Sequence, residues 1–187
     1  MLEPFPHSAA ILTKVYFKRR DDLPQNSLQT SSEVNPSQVD FRCGRKDERW
    51  VNSYDQPLFF QCQNHQSINL IISIHDNGKE DRMWDFGCQN TFSRPGTCSW
   101  TNYVNNFDEQ IAFTCPFGSV LSGMDSYHDN GKEDRRWKFL CCQGEVPVTR
   151  NCKWSDYVNE FDQYLRWDAP VNHHLVGTRS YHDNGKE

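Results

Sequence analysis

The chain has 187 residues, a formal net charge of −5, 36% hydrophobic residues and eight cysteines. That length suits one domain plus an extra segment. The acidic balance argues against long-range capture of nucleic acid or another polyanion, and no apolar run approaches the length of a membrane-spanning helix. Residues 1–46 carry seven Lys/Arg against five Asp/Glu, whereas 47–187 carry 13 against 20. Pro24 to Asp40 is polar and without periodicity, so 1–46 is expected to be a loose or mis-assigned N-terminal segment. Ile11 to Phe17 is short, interrupted by Lys14 and followed by Lys18, Arg19 and Arg20, so no ordinary signal peptide is legible. The folded domain is expected to span 47–187.

From there a repeat governs the sequence. His-Asp-Asn-Gly-Lys-Glu occurs at 75–80, 128–133 and 182–187, with spacings of 53 and 54. Trp50-Val51-Asn52, Tyr103-Val104-Asn105 and Tyr157-Val158-Asn159 follow the same offsets. Cys62, Cys115 and Ala169 each precede the Asp of the hexapeptide by 14 residues. Such agreement identifies an internal duplication.

Within the repeat, Ile68 to Ile74 is short and β-branched, which predicts a strand. Asp76-Asn77-Gly78 predicts a hairpin turn, with Asn-Gly taking the positive φ angles. Beyond it Arg82, Trp84, Phe86 and Cys88 alternate with Met83, Asp85 and Gly87. Arg135, Trp137, Phe139 and Cys141 alternate likewise with Arg136, Lys138 and Leu140. Period two puts Trp, Phe and Cys on one face, toward a core. The third copy reaches only Glu187, before the counterpart of this strand, and is read as truncated inside its hairpin. The fold class is all-β: three hairpin-containing repeats of about 53 residues in a disulfide-braced, pseudo-threefold barrel or trefoil-like domain. Closure would remove exposed edges; a sandwich is the alternative, and helix should be scarce.

The cysteines show no zinc-ligand clustering and point to an oxidising, extracellular compartment. Cys62 to Cys88 and Cys115 to Cys141 are both 26 residues apart, which predicts two disulfides within repeats. Adjacent Cys141 and Cys142 point to opposite faces of a strand, so Cys142 needs another partner, and Cys98 is the natural one. Cys152 matches Cys98 in position, but its expected partner would follow residue 187. Cys43 is out of register and is either free or paired with Cys152.

Glu80-Asp81-Arg82-Met83-Trp84-Asp85-Phe86-Gly87-Cys88 and Glu133-Asp134-Arg135-Arg136-Trp137-Lys138-Phe139-Leu140-Cys141-Cys142 resemble the Asp-Arg-x-Trp-x-Phe/Tyr-x-Cys signature of the dermatopontin family. Trp50-Val51-Asn52 and its copies resemble that family's repeat opening. The match covers 50–187 and is closest in style to the haemagglutinin and amebocyte aggregation factor members. The resemblance implies a secreted, non-catalytic, disulfide-bonded protein of the extracellular space or matrix. Vertebrate members are associated with collagenous matrix, proteoglycans and adhesion; invertebrate members agglutinate cells, and some act as lectins. The partners implied are therefore cell-surface glycans, or matrix proteoglycans and collagen. A homo-oligomer is compatible with either, and membrane insertion and nucleic acid are not expected.

The ligand-binding candidates are Asp76, Asn77, Glu80, Asp81 and Arg82, and in the second copy Asp129, Asn130, Glu133, Asp134 and Arg135. Their carboxylates and amides would hydrogen-bond sugar hydroxyls, and repetition would multiply weak single-site affinity. The competing reading is a turn, with Asn77, Gly78, Asn130 and Gly131 serving backbone geometry and the acids pairing with Arg82 or Arg135. Asp76, Glu80 and Asp81 are oxygen donors of the kind calcium takes, but their spacing is not that of an EF-hand loop, so no metal or other cofactor is expected. Lys132, Arg135, Arg136 and Lys138 form the one basic concentration, read as a solvated strand face or a local glycosaminoglycan contact. Trp100 and Trp154 follow a cysteine by two, as packing against a disulfide or as a sugar-stacking platform. No nucleophile, metalloprotease or phosphate-loop motif occurs, and His75, His128 and His182 sit beside turns. No catalytic residue and no enzymatic activity are expected.

Overall fold

The computed structural model describes residues 10–19, 50–145 and 150–183. None of them is helical. In chain order the strands are β1 (Ala10–Arg19), β2 (Leu58–Gln61), β3 (Gln66–Asp76), β4 (Asp81–Asn90), β5 (Thr97–Trp100), β6 (Ile111–Thr114), β7 (Val120–Asp129), β8 (Asp134–Gln143), β9 (Arg150–Trp154), β10 (Leu165–Asp168) and β11 (His173–Asp183). The protein is all-β, as its β-branched runs and Gly/Asn turns predict. Its strands form three sheets, ordered β2-β7-β8-β5, β6-β11-β1-β9 and β10-β3-β4.

The short strand of each sequence unit leaves its own hairpin and pairs with the next one. Leu58 lies opposite Ser126, Ile111 opposite Ser180, and Leu165 opposite Ser73. The exchange is cyclic, so each sheet is shared between two units. Residues Asn69, Ser122 and Val176 stand at the same β-bulge. Their carbonyls accept the N–H groups of Ala169, Cys62 and Cys115 at 2.7–2.8 Å, locking each short strand to its neighbour.

Strand β1 lies within the 1–46 segment expected to be loose. That expectation is corrected for Ala10–Arg19, which pairs with both β11 and β9; Pro24 to Asp40 and Cys43 lie outside the described residues. On β11, β1 holds the register that β4 holds on β3. Ala10 faces Asp183 and Ile11 faces His182, where Asp81 faces Asp76 and Arg82 faces His75.

The hairpin expectation is corrected in one respect. The loop between Asp76 and Asp81 has four residues, and the positive φ falls on Glu80 (φ 48°) rather than on Asn77 or Gly78, with Glu133 (φ 52°) in the second copy. Asp76 and Asp129 instead accept the N–H of Gly78 and Gly131 on Oδ1 at 2.9 Å. These aspartates shape the start of the turn, and the left-handed glutamates return the chain to the strand.

Alternation sends Trp84, Phe86, Trp137 and Phe139 inward, where they are buried with Leu58, Ile68, Leu121 and Leu175. Trp84 and Trp137 meet edge to face at 5.2 Å, and Phe60–Phe86 and Phe113–Phe139 stack at 4.8 Å. Trp84 lies opposite Ser73 and Trp137 opposite Ser126, but Thr13 lies opposite Ser180. A cavity of about 30 Å³ lies there between Trp84, Trp137 and Ser180.

Disulfides join Cys62 to Cys88, Cys115 to Cys141 and Cys98 to Cys142. Because the short strands have crossed over, the first two bridge different sheets. Cys98 and Cys142 face each other within one sheet. Cys152 is exposed and carries no disulfide.

Candidate functional site: a buried polar centre and its exposed rim

The Asp-Arg pair that opens β4 and β8 directly follows a turn, yet it is buried. Asp81, Arg82, Asp134 and Arg135 are each at most 5% exposed. The Nε and Nη2 of Arg135 each donate to the Asp81 carboxylate at 2.6 Å, forming a bidentate pair between two units. Its Nη2 also reaches the Gln56 carbonyl at 3.0 Å. This geometry matches the planar fork of guanidinium to the planar carboxylate.

Arg82 repeats the carbonyl contact, donating from Nη2 to Gln163 O at 3.0 Å, and approaches Ser73 Oγ at 3.5 Å. It lacks the bidentate carboxylate, and its Nε is buried without a hydrogen-bond partner. Burial lowers its pKa to about 10 despite the pull of Asp162 and Asp81. Asp134 is the converse half. It accepts the backbone N–H of Asp108 at 2.8 Å and of Arg135 at 2.6 Å, but among the described residues no guanidinium. Burial pushes its carboxyl above the ordinary value. The register explains both: Ala10 and Ile11 of β1 occupy the places of the third Asp and Arg, and neither can supply the charge.

Around this centre each repeat histidine faces an aspartate of another unit. His128 Nδ1 is 3.6 Å from Asp55, His182 Nε2 is 3.7 Å from Asp108, and His75 Nδ1 is 3.4 Å from Asp162. All three aspartates have left-handed backbone, with φ between 58° and 62°. Desolvation, then Arg82, holds His75 below its ordinary pKa, against the pull of Asp162 and Glu80. These aspartates escaped sequence reasoning, although their recurrence in the Trp50 motif and its copies was a signal.

The ten candidate ligand residues therefore divide in two. Asp81, Arg82, Asp134 and Arg135 are closed to a ligand at the surface. Asp76, Asn77 and Asn130 are exposed, and Glu80, Asp129 and Glu133 are partly so. Asp55, Asp81 and His128 bring donor atoms within 4.8 Å of one another. The oxygens of Asp81 are already engaged by Arg135 and by the Asp55 N–H. This also removes Asp81 from a calcium trio with Asp76 and Glu80, since calcium takes six to eight free oxygen ligands.

The basic concentration is offset locally. Lys132 lies 3.9 Å from Asp108 and Lys138 lies 3.8 Å from Asp125, while Arg136 stacks on Tyr103 at 4.6 Å. Asn52 and Asn105, another pair missed in sequence, clamp the strands. Each accepts the backbone N–H of a tryptophan at 2.9 Å and donates to an arginine carbonyl at 2.8–3.0 Å.

Cyclic strand exchange, inter-sheet disulfides and an inter-unit Arg–Asp centre define a disulfide-braced all-β repeat protein. A family model described as Dermatopontin matches residues 52–187, and the chain belongs to the dermatopontin family. It is 48% identical over 142 residues to Hemagglutinin/amebocyte aggregation factor of Limulus polyphemus, covering 75% of this chain and 82% of that one. It is 40% identical over 134 residues to Millepora cytotoxin-1 of Millepora dichotoma (72% and 60%), and 38% identical over 134 residues to Dermatopontin of Biomphalaria glabrata (72% and 90%). No solved structure matches.

Proposed function

We propose that this protein is a secreted, non-enzymatic adhesion protein that agglutinates cells by multivalent carbohydrate binding. The observation that carries the reading is the recurrence of one polar turn around the buried centre. Asn77 and Asn130 are exposed there on a frame fixed by Asp76 and Asp129, with the Asn130 amide oxygen held by His128 Nδ1 at 3.1 Å. The amide N–H groups can donate to sugar hydroxyls, and repeated weak sites on one frame gain avidity. The relative named for haemagglutination and amebocyte aggregation supports the cellular outcome. The disulfides among the described residues suit an oxidising extracellular compartment. A matrix-organising role, through proteoglycan, collagen or cell-surface receptors, is favoured by Arg136 and Lys138 on β8, although each already has a partner.

The discriminating experiment is retention of the oxidised protein on immobilised cell-surface glycoprotein, collagen and proteoglycan, with free sugars and EDTA as competitors. Retention on glycoprotein, released by a simple sugar and indifferent to EDTA, is the expected result. Sugar-insensitive retention on collagen or proteoglycan would replace the carbohydrate reading with the matrix one.

A further inference from the structure

On the outer face of the β2-β7-β8-β5 sheet, Trp100 of β5 extends across Leu140 toward β7. Its Cη2 comes within 3.1 Å of the place a Cβ would take on Gly123, so the strand's bare backbone lets the indole lie across it. There the indole meets Phe59 of β2, ring centroids 5.5 Å apart and planes 36° apart. Phe59 is 62% exposed. Asp125 lies opposite both Phe59 and Lys138 in register, and its carboxylate is 3.8 Å from the Lys138 ammonium.

The other units show what the fold needs at these positions. The place of Phe59 is taken by Ala112 on β6 and Arg166 on β10. Arg166 binds Asp168 through two bonds of 2.8 and 3.0 Å. Trp154, the counterpart of Trp100, carries the Arg179 guanidinium on its ring at 4.6 Å. Equivalent sheets thus form without a phenylalanine here. Phe59 and the half-buried Trp100 thus form two adjoining rings at the surface, a contiguous apolar patch that the fold does not require.

We propose that Phe59 and Trp100 form a platform for a neutral hexopyranose of a cell-surface glycan, with Asp125 and Lys138 holding its hydroxyls. This rests on the carbohydrate reading above and adds a contact outside the turns, so that one chain engages glycans at separate places. The C–H face of a pyranose carries partial positive charge and meets the negative face of an aromatic ring. Its hydroxyls are both donors and acceptors, and the carboxylate accepts where the ammonium donates. Because those two charges offset each other, the site favours a neutral sugar over a sulfated one.

The test is a heteronuclear NMR titration of the oxidised protein with methyl hexosides of the galactose, glucose, mannose and N-acetylglucosamine series, and separately with heparin oligosaccharide. The readouts are the Trp100 indole N–H and the side-chain amides of Asn77 and Asn130. A neutral hexoside is expected to shift Trp100, and Phe59→Ala to weaken that response about tenfold with the melting temperature unchanged. Alanine occupies the equivalent place on β6, so this variant should fold; Phe59→Trp should keep the response. Shifts confined to Asn77 and Asn130 would overturn the platform and leave the carbohydrate reading standing. No shift with any hexoside would overturn both. Salt-sensitive binding of heparin alone would overturn the platform in favour of an anionic ligand.

Discussion

At Arg135 the guanidinium meets the Asp81 carboxylate through two 2.6 Å bonds, while Arg82 in the equivalent place meets only carbonyl and hydroxyl oxygen. Removing one partner of a buried pair strands the other charge away from water and costs about 3–5 kcal/mol. Asp81→Asn is therefore expected to lower the urea midpoint by that equivalent. Asp134 has backbone partners but no arginine, and burial already disfavours its charge. Asp134→Asn removes one acceptor while relieving the desolvation of a charge, so its cost should not exceed about 1–2 kcal/mol. Urea unfolding of the two variants under one condition checks the difference, and equal losses would contradict the half-pair description. Sequence alone places both arginines on the tryptophan face, but it does not foretell their burial, since Arg135 also belongs to the basic concentration read as a solvated strand face. It could not say which acid serves which arginine, because the partner lies in another unit.

Among the elements, the strand–turn–strand hairpins and the inward Trp, Phe and Cys residues were legible from period two and from the spacing of 26 residues. The partner of each short strand was not. Leu58-Phe59-Phe60-Gln61 carries the same alternation whether it pairs at home or with the next hairpin, and repeat arithmetic is blind to that choice. Nor was β1 legible: Lys14, Lys18 and Arg19 interrupt its apolar pattern, and its place is given by its pairing with β11 and β9. The turn misled because Asn-Gly signals positive φ at its own two residues, whereas here the aspartate caps open a four-residue loop whose left-handed residue is the glutamate. Strand exchange also changes what the disulfides do. Cys115 follows β6, which pairs with β11, while Cys141 lies on β8, so their bond ties two sheets together. Loop-closure entropy for that separation is worth about 3–4 kcal/mol. Cys115→Ala with Cys141→Ala is expected to lower unfolding stability by that amount and keep the β-rich circular dichroism. A change well under 1 kcal/mol would mean that strand exchange alone fixes the two sheets.

On the scale of the whole molecule, cyclic exchange makes the units interdependent. No hairpin carries its own short strand, and the charged residues after each turn are satisfied, or left wanting, by a neighbour. Such a body is buried and hydrogen-bonded at its centre and repetitive at its rim. That suits holding several weak ligands at fixed spacing better than enclosing one reacting substrate. The candidate site was legible only in its rim: Asp76, Asn77 and Asn130 are exposed as their turn chemistry suggests, while Phe59 carries no signal until its exposure and its counterparts Ala112 and Arg166 are seen together. The measurement that tests the central claim most directly is red-cell agglutination by the purified, oxidised protein, with and without simple sugars and after reduction. Agglutination that a simple sugar abolishes and that is lost when the disulfides are reduced is the predicted result. A folded, oxidised protein that leaves the cells dispersed would contradict it.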